Sequence, residues 1–169
     1  GGMGWCMGRS AGGSVGSFFF YGSGPPRGLP PFPTRRSSGH SSRKAVACDE
    51  TVAAIRAAGG EALAVPGHVG DLHDLDRLAA TTADAYGGID ILVNNAANPV
   101  AQPIGEITPE AFAKSFDVNV RGPLFLFQAC LPHLLVSDHA SVVNVISAGA
   151  FLNTPGTSMY GAGKAALLH

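Results

Sequence analysis

The chain of 169 residues has 11 Lys+Arg against 12 Asp+Glu and is 46% hydrophobic, which allows one packed domain and leaves little room for a second. Gly and Pro are frequent but unevenly placed, which excludes a collagen-like or wholly low-complexity chain. Charge is split: residues 1–48 hold six basic and no acidic side chains, and residues 49–169 hold five basic and twelve acidic. The arginines are scattered with no aromatic ladder between them, so a nucleic-acid partner is not expected.

Residues 1–40 contain eleven glycines, five prolines and no acid, without helical or strand periodicity, and are expected to be a poorly ordered, aberrant segment ahead of a domain over 41–169. From Asp49-Glu50-Thr51 a helix is expected, its stripe Val52, Ile55 and Ala58 running into the stop Gly59-Gly60. Ala62–Val65 reads as a short buried strand. A second helix follows from about Asp71, with Leu72, Leu75, Leu78 and Ala79 on one face and Gly87-Gly88 at its end. Ile89–Val93 is nearly all apolar, as suits a strand inside a parallel sheet. Thr108-Pro109-Glu110 starts a long helix through Phe112, Phe116, Val120, Leu124 and Phe127, with a bend at Gly122-Pro123. Ser141–Ile146 is another central strand, and a last helix starts near Tyr160.

Alternating strands and helices predict an α/β fold, a Rossmann-like doubly wound parallel sheet with helices on both faces. Ligands of such sheets gather beyond the carboxyl ends of the strands. Two of those ends carry polar clusters, Asn94-Asn95-Ala96-Ala97 and Ser147-Ala148-Gly149. Cys6, Cys48 and Cys130 suggest neither a disulfide framework nor a zinc site, and the histidines lack metal spacing, so no metal and a reducing, cytoplasmic setting are expected. The apolar run Phe18–Tyr21 is too short to span a membrane, and no membrane association is expected.

Tyr160 and Lys164 stand four apart, on one side of a helix. A free phenol, with a pKa of about 10, is a poor acid toward a carbonyl. A nearby cation favours the phenolate and makes proton transfer in both directions efficient. The pair suits interconversion of a ketone and an alcohol.

With Ser147 thirteen residues upstream and Asn119 in Asp117-Val118-Asn119-Val120, residues from about Ser41 to His169 resemble a classical short-chain dehydrogenase/reductase. Asn94-Asn95-Ala96-Ala97 stands for the family's Asn-Asn-Ala-Gly turn, with Ala97 in place of glycine, and Tyr160–Lys164 for its Tyr-x-x-x-Lys. His68-Val69-Gly70 and Asn98-Pro99 look like carbonyl and retinal reductases of the family. The resemblance implies that Tyr160 is the general acid in reduction and the general base in oxidation. Lys164 would assist it and hold the nicotinamide ribose, Ser147 would bind the substrate oxygen, and Asn119 would anchor a water leading to Lys164.

Asn95 and Ala96 would lie against the cofactor, and His68-Val69 would stand where the family commonly has Asp-Val facing adenine. In Ser41-Ser42-Arg43-Lys44 there is no acid. Ser42 and Arg43 would therefore grip a 2′-phosphate, which favours NADP, with NAD as the alternative. The implied partner is a small carbonyl or secondary alcohol, and the complete protein is expected to be a homo-oligomer.

The family's Thr-Gly-x-x-x-Gly-x-Gly turn has no counterpart. Gly8–Ser14 comes nearest, without the Thr-Gly start or the last glycine. Residues 1–40 are therefore expected to be an out-of-frame or misassembled join to a true dehydrogenase frame. The sheet would then be incomplete at both ends and the chain a fragment, with a noncatalytic domain as the alternative function.

Overall fold

The computed structural model describes residues 3–9, 15–19 and 42–169. Five strands form one sheet in the order β3-β1-β2-β4-β5: β1 (Met3–Arg9), β2 (Val15–Phe19), β3 (Glu61–Gly67), β4 (Ile91–Asn94) and β5 (Ser141–Asn144). The helices are α1 (Ser42–Ala57), α2 (Leu72–Tyr86), α3 (Pro109–Phe116), α4 (Gly122–Leu134) and α5 (Ser158–Leu168).

β2 runs parallel to β4, and β4 to β5, whereas β1 is antiparallel to both β2 and β3. Four strands thus point one way and β1 alone is reversed. The five residues between β1 and β2 are too few for the helix-length crossover of a parallel pair, so a hairpin is the geometry available. Both strands fall where the sequence shows no strand pattern. The rest of the 1–40 expectation lies outside the described residues.

β3 shows why helices cover both faces. Ala62 and Ala64 pack toward Val52 and Ile55 of α1, while the alternate residues Leu63 and Val65 join the opposite cluster with Leu75, Leu78 and Ala79 of α2. That second cluster is the main core, closed by Leu92 of β4 and by Leu126, Cys130 and Leu134 of α4.

Local chemistry sets most helix ends. Asp71 Oδ1 accepts the His73 N–H at 3.0 Å to start α2, and Gly87, at φ 81°, ends it as a left-handed cap. Thr108 Oγ1 accepts the Ala111 N–H at 3.2 Å with Pro109 in the first turn of α3.

Three expectations need correction. The first helix begins at Ser42 rather than Asp49, because the intervening Arg-Lys-Ala-Val-Ala-Cys run contains no helix breaker. The irregularity expected at Gly122-Pro123 falls upstream, as a π-helical turn over Asp117–Arg121 in which the Gly122 N–H reaches back to the Asp117 carbonyl. Pro123 has no N–H for the Asn119 carbonyl, so the ladder widens just before it. β5, expected to be central, is an edge strand among the described residues. No described helix is long and apolar enough to cross a membrane.

Candidate active site

The carboxyl ends of β4 and β5 lie side by side. Asn94 Nδ2 donates to Asn144 Oδ1 at 2.9 Å, and Val145 N–H donates to the Asn94 carbonyl at 2.9 Å. Beyond β5 the chain turns through Ser147 into a short 3₁₀ turn, Ala148–Ala150, with Ser147 Oγ accepting the Gly149 N–H at 3.2 Å. That bond leaves the Ser147 hydroxyl hydrogen free to donate elsewhere.

α5 lies against this turn at close range. A Cβ on Gly161 would stand 2.6 Å from the Gly149 carbonyl oxygen, so the residue after Tyr160 must be small for this packing. A Cβ on Gly149 would stand 3.5 Å from Ser147 Oγ and 4.0 Å from Tyr160 Cδ1. The hydroxyl and the phenol ring therefore border the same spot.

Lys164, one turn further along α5, is 1% exposed and donates from Nζ to the Val145 carbonyl at 2.7 Å. Burial disfavours its ammonium and brings its pKa below the ordinary 10.5. The bond to Val145 joins the helix carrying Tyr160 to the strand end carrying Ser147.

Asn119, fully buried in the π turn, supports α5 from beneath, 3.2 Å from where a Cβ on Gly163 would lie. Both polar atoms of its side chain are engaged. Oδ1 accepts the Asn98 N–H at 3.0 Å, while Nδ2 donates to the Asn98 carbonyl and to Ser115 Oγ, both at 3.0 Å. Asn98, Ser115 and the Val145 carbonyl are parts of this assembly that motif reading missed. Ser115 left a signal, four residues before Asn119 on the same helical face, and Asn98 was noted only as part of Asn98-Pro99.

The remaining predicted contacts are spread along the same edge. Ala96 is buried beside Asn94, and Asn95 makes an interaction of its own. His68 follows β3, its backbone N–H on Asp74 Oδ2 at 2.7 Å. Arg77 beside Asp74 holds that carboxyl below the usual range. Val69 is 2% exposed and its side chain packs into the main core. A Cβ on Gly122 would meet its carbonyl oxygen and its Cγ2. Ser42 and Arg43 open α1 rather than forming a loop, and their side chains lie outside the described residues.

A nicotinamide dinucleotide can be tested against these residues. The nicotinamide and ribose end is provided for, because Lys164 gives one of its three hydrogens to Val145 and keeps others for hydroxyl oxygens. Among the described residues no glycine turn serves the pyrophosphate. Arg9 pairs with Val15 and Gly16 with Ile91, so the carboxyl end of β1 lies beside the amino ends of β2 and β4, across the sheet from Ser147. Gly8 and Arg9 are thus on the edge opposite Ser147, and the rest of Gly8–Ser14 lies outside the described residues.

Comparison with known proteins agrees with the site. The family model described as short chain dehydrogenase matches residues 39–169. Human dehydrogenase/reductase SDR family member 4 is 43% identical over 132 residues, covering 76% of this chain and 46% of that protein. A dehydrogenase/reductase from Sinorhizobium meliloti 1021 superposes with TM-score 0.69 at 34% identity, over 73% of this chain and 48% of that one. A short chain dehydrogenase from Burkholderia cenocepacia J2315, solved in complex with NADP, gives TM-score 0.71 at 32% identity, over 75% and 51%. The chain spans about half the length of the relatives it matches. With the family model matching more than half of its length, the chain belongs to the short-chain dehydrogenase family.

Proposed function

We propose that the protein, in its complete form, is an oxidoreductase that moves a hydride between NADP(H) and a carbonyl or secondary alcohol. The observation that carries this reading is the Lys164 Nζ bond to the Val145 carbonyl. It ties Tyr160, one helical turn away, to the strand end that presents Ser147. NADP rather than NAD is favoured by the absence of an acid in Ser41–Lys44 and by the NADP complex of the Burkholderia relative.

In this mechanism the bound cofactor supplies or takes the hydride. The Ser147 hydroxyl, its oxygen already engaged by the Gly149 N–H, donates to the substrate oxygen where negative charge builds. Tyr160 Oη gives that oxygen its proton in reduction and takes it back in oxidation. The Lys164 ammonium stabilises negative charge on the phenol and holds ribose hydroxyls. Because the Asn119 side chain is held by Asn98 and Ser115, its part in passing protons to Lys164 falls to its backbone carbonyl, to which Pro123 cannot donate.

The reversed β1 favours a narrower second reading for this chain by itself. With no glycine turn at the site edge among the described residues, it would keep the catalytic residues yet hold dinucleotide weakly and turn over little. The exposed Phe112, Leu124 and Phe125 give apolar surface for the homo-oligomer expected of the complete protein, which sedimentation would measure. The buried free thiol of Cys130 accords with a cytoplasmic setting.

Titrating NADPH and NADH while following nicotinamide fluorescence, on this chain and on one completed from its gene, tests both readings. Binding by the completed form alone supports the narrower one, and binding by neither rejects the oxidoreductase. In the completed form Tyr160→Phe should cut turnover by about 10²–10⁴ with NADPH affinity little changed.

A further inference from the structure

The loop that leaves the carboxyl end of β4 is pinned twice. Asn98 holds Asn119 through both of its backbone groups, and further on the Gln102 N–H donates to the Gly156 carbonyl at 2.8 Å. Gly156 belongs to a tight turn, Thr154-Pro155-Gly156-Thr157. The Thr154 carbonyl closes it, accepting the Thr157 N–H at 3.1 Å and the Thr157 hydroxyl at 2.8 Å. Proline suits the first central place of such a turn, and glycine, at φ 78°, the second. The turn runs directly into α5, with Gly156 four residues before Tyr160. Gln102 is thus anchored at the head of the helix that carries the phenol.

The oxygen of its side chain has no such anchor. Among the described residues, Gln102 Oε1 is the one buried side-chain polar atom without a hydrogen-bond partner. An amide oxygen withdrawn from water with no donor opposite it is costly, and folded chains nearly always pair such groups. The two segments joined by the Gln102–Gly156 bond carry no charge, since neither 96–105 nor 140–157 contains Asp, Glu, Lys or Arg. A cationic donor would stand there without a counter-charge, which favours a neutral donor.

Resting on the dehydrogenase reading above, we propose that Gln102 Oε1 accepts a hydrogen bond from a neutral hydroxyl that the substrate carries in addition to its reacting group. The substrate class is then a hydroxyketone, or the matching diol in the oxidising direction, and Gln102 is a specificity-determining residue. A plain ketone would leave the oxygen buried and unpaired, which makes it the poorer substrate.

The test uses the protein completed from its gene and pairs of methyl ketones. One member of each pair bears a terminal hydroxyl on the first, second or third carbon beyond the carbonyl, and the other has a methyl in place of that hydroxyl. At least one hydroxyketone should exceed its methyl partner in kcat/KM by about tenfold, the scale of one hydrogen bond. Gln102→Leu should erase that preference, whereas Gln102→Glu, whose carboxylate only accepts, should keep it. A role in folding alone would change both members of a pair together and leave their ratio unmoved.

Equal kcat/KM within every pair, a ratio unmoved in Gln102→Leu, or its loss in Gln102→Glu overturns the contact and leaves the dehydrogenase reading standing. So does failure to reduce any of these ketones by a protein that binds NADPH. Failure to bind either NADPH or NADH overturns both. The present chain gives an arm without substrate: Gln102→Leu removes an oxygen that is buried at a cost, so the denaturant midpoint should hold or rise. A fall would mean that the oxygen is already satisfied in the folded chain, and overturns the proposal.

Discussion

β4 and β5 are paired in register, Leu92 with Val142 and Asn94 with Asn144, yet they live in different surroundings. Leu92 is 0% and Asn94 6% exposed, whereas Val142 and Val143 are 41% and 45% exposed. The site straddles that divide. Asn119 and Asn98 belong to the packed side, and Ser147 hangs from the open one. A candidate site can thus be half anchored in a core and half borne by an edge, provided something such as Lys164 spans the two.

Substitutions can break this contrast. Leu75→Ala, in the packed cluster at 0% exposure, should destabilise by about 2–5 kcal/mol, because a cavity is left that its neighbours fill only partly. Denaturant midpoints check this. Gly122→Ala sets a Cβ 2.3 Å from the Val69 carbonyl oxygen and should cost about 1–3 kcal/mol as overpacking. The same change at Gly161, against the Gly149 carbonyl, should lower stability less, since the open side can give way, while shifting the Ser147 turn. Nuclear magnetic resonance shifts of Gly149 and Ser147 would report that shift.

Lys164 gives a pH signature. Its folded pKa lies below the ordinary 10.5 because of burial. Between the two values the folded state is neutral while the unfolded state still binds the proton, so unfolding free energy rises with pH through that window. Below the folded value both states are charged and the contribution is flat. Lys164→Met should lose the alkaline rise, which chemical denaturation over an alkaline pH series measures. At the small end, Val143→Thr on the exposed face of β5 should change stability within about 0.5 kcal/mol. Cys130, whose thiol burial pushes up to about 12, should resist thiol reagents at neutral pH until the chain unfolds.

What was legible in the sequence is what short-range chemistry decides. Asp71, Thr108 and Gly87 mark helix ends because a cap depends on neighbours within one turn. The Tyr160–Lys164 spacing likewise follows from helical geometry alone. β1 and β2 were not legible, since glycine-rich strands show no alternation of side chains and their pairing with β3 and β4 is long-range. The edge position of β5 escaped for a related reason: Ser141–Asn144 reads the same whether one neighbour or two flank it. The role of Asn98, noted only within Asn98-Pro99, was hidden because it serves Asn119 through its backbone, which no side-chain pattern records.

The Lys164–Val145 bond has a consequence for how the molecule comes apart. Fraying of the outermost strand would strip a buried ammonium of its acceptor, so strand and helix should let go as one unit. In such a molecule, loss of catalytic competence and the first local opening would be a single equilibrium seen by two different instruments.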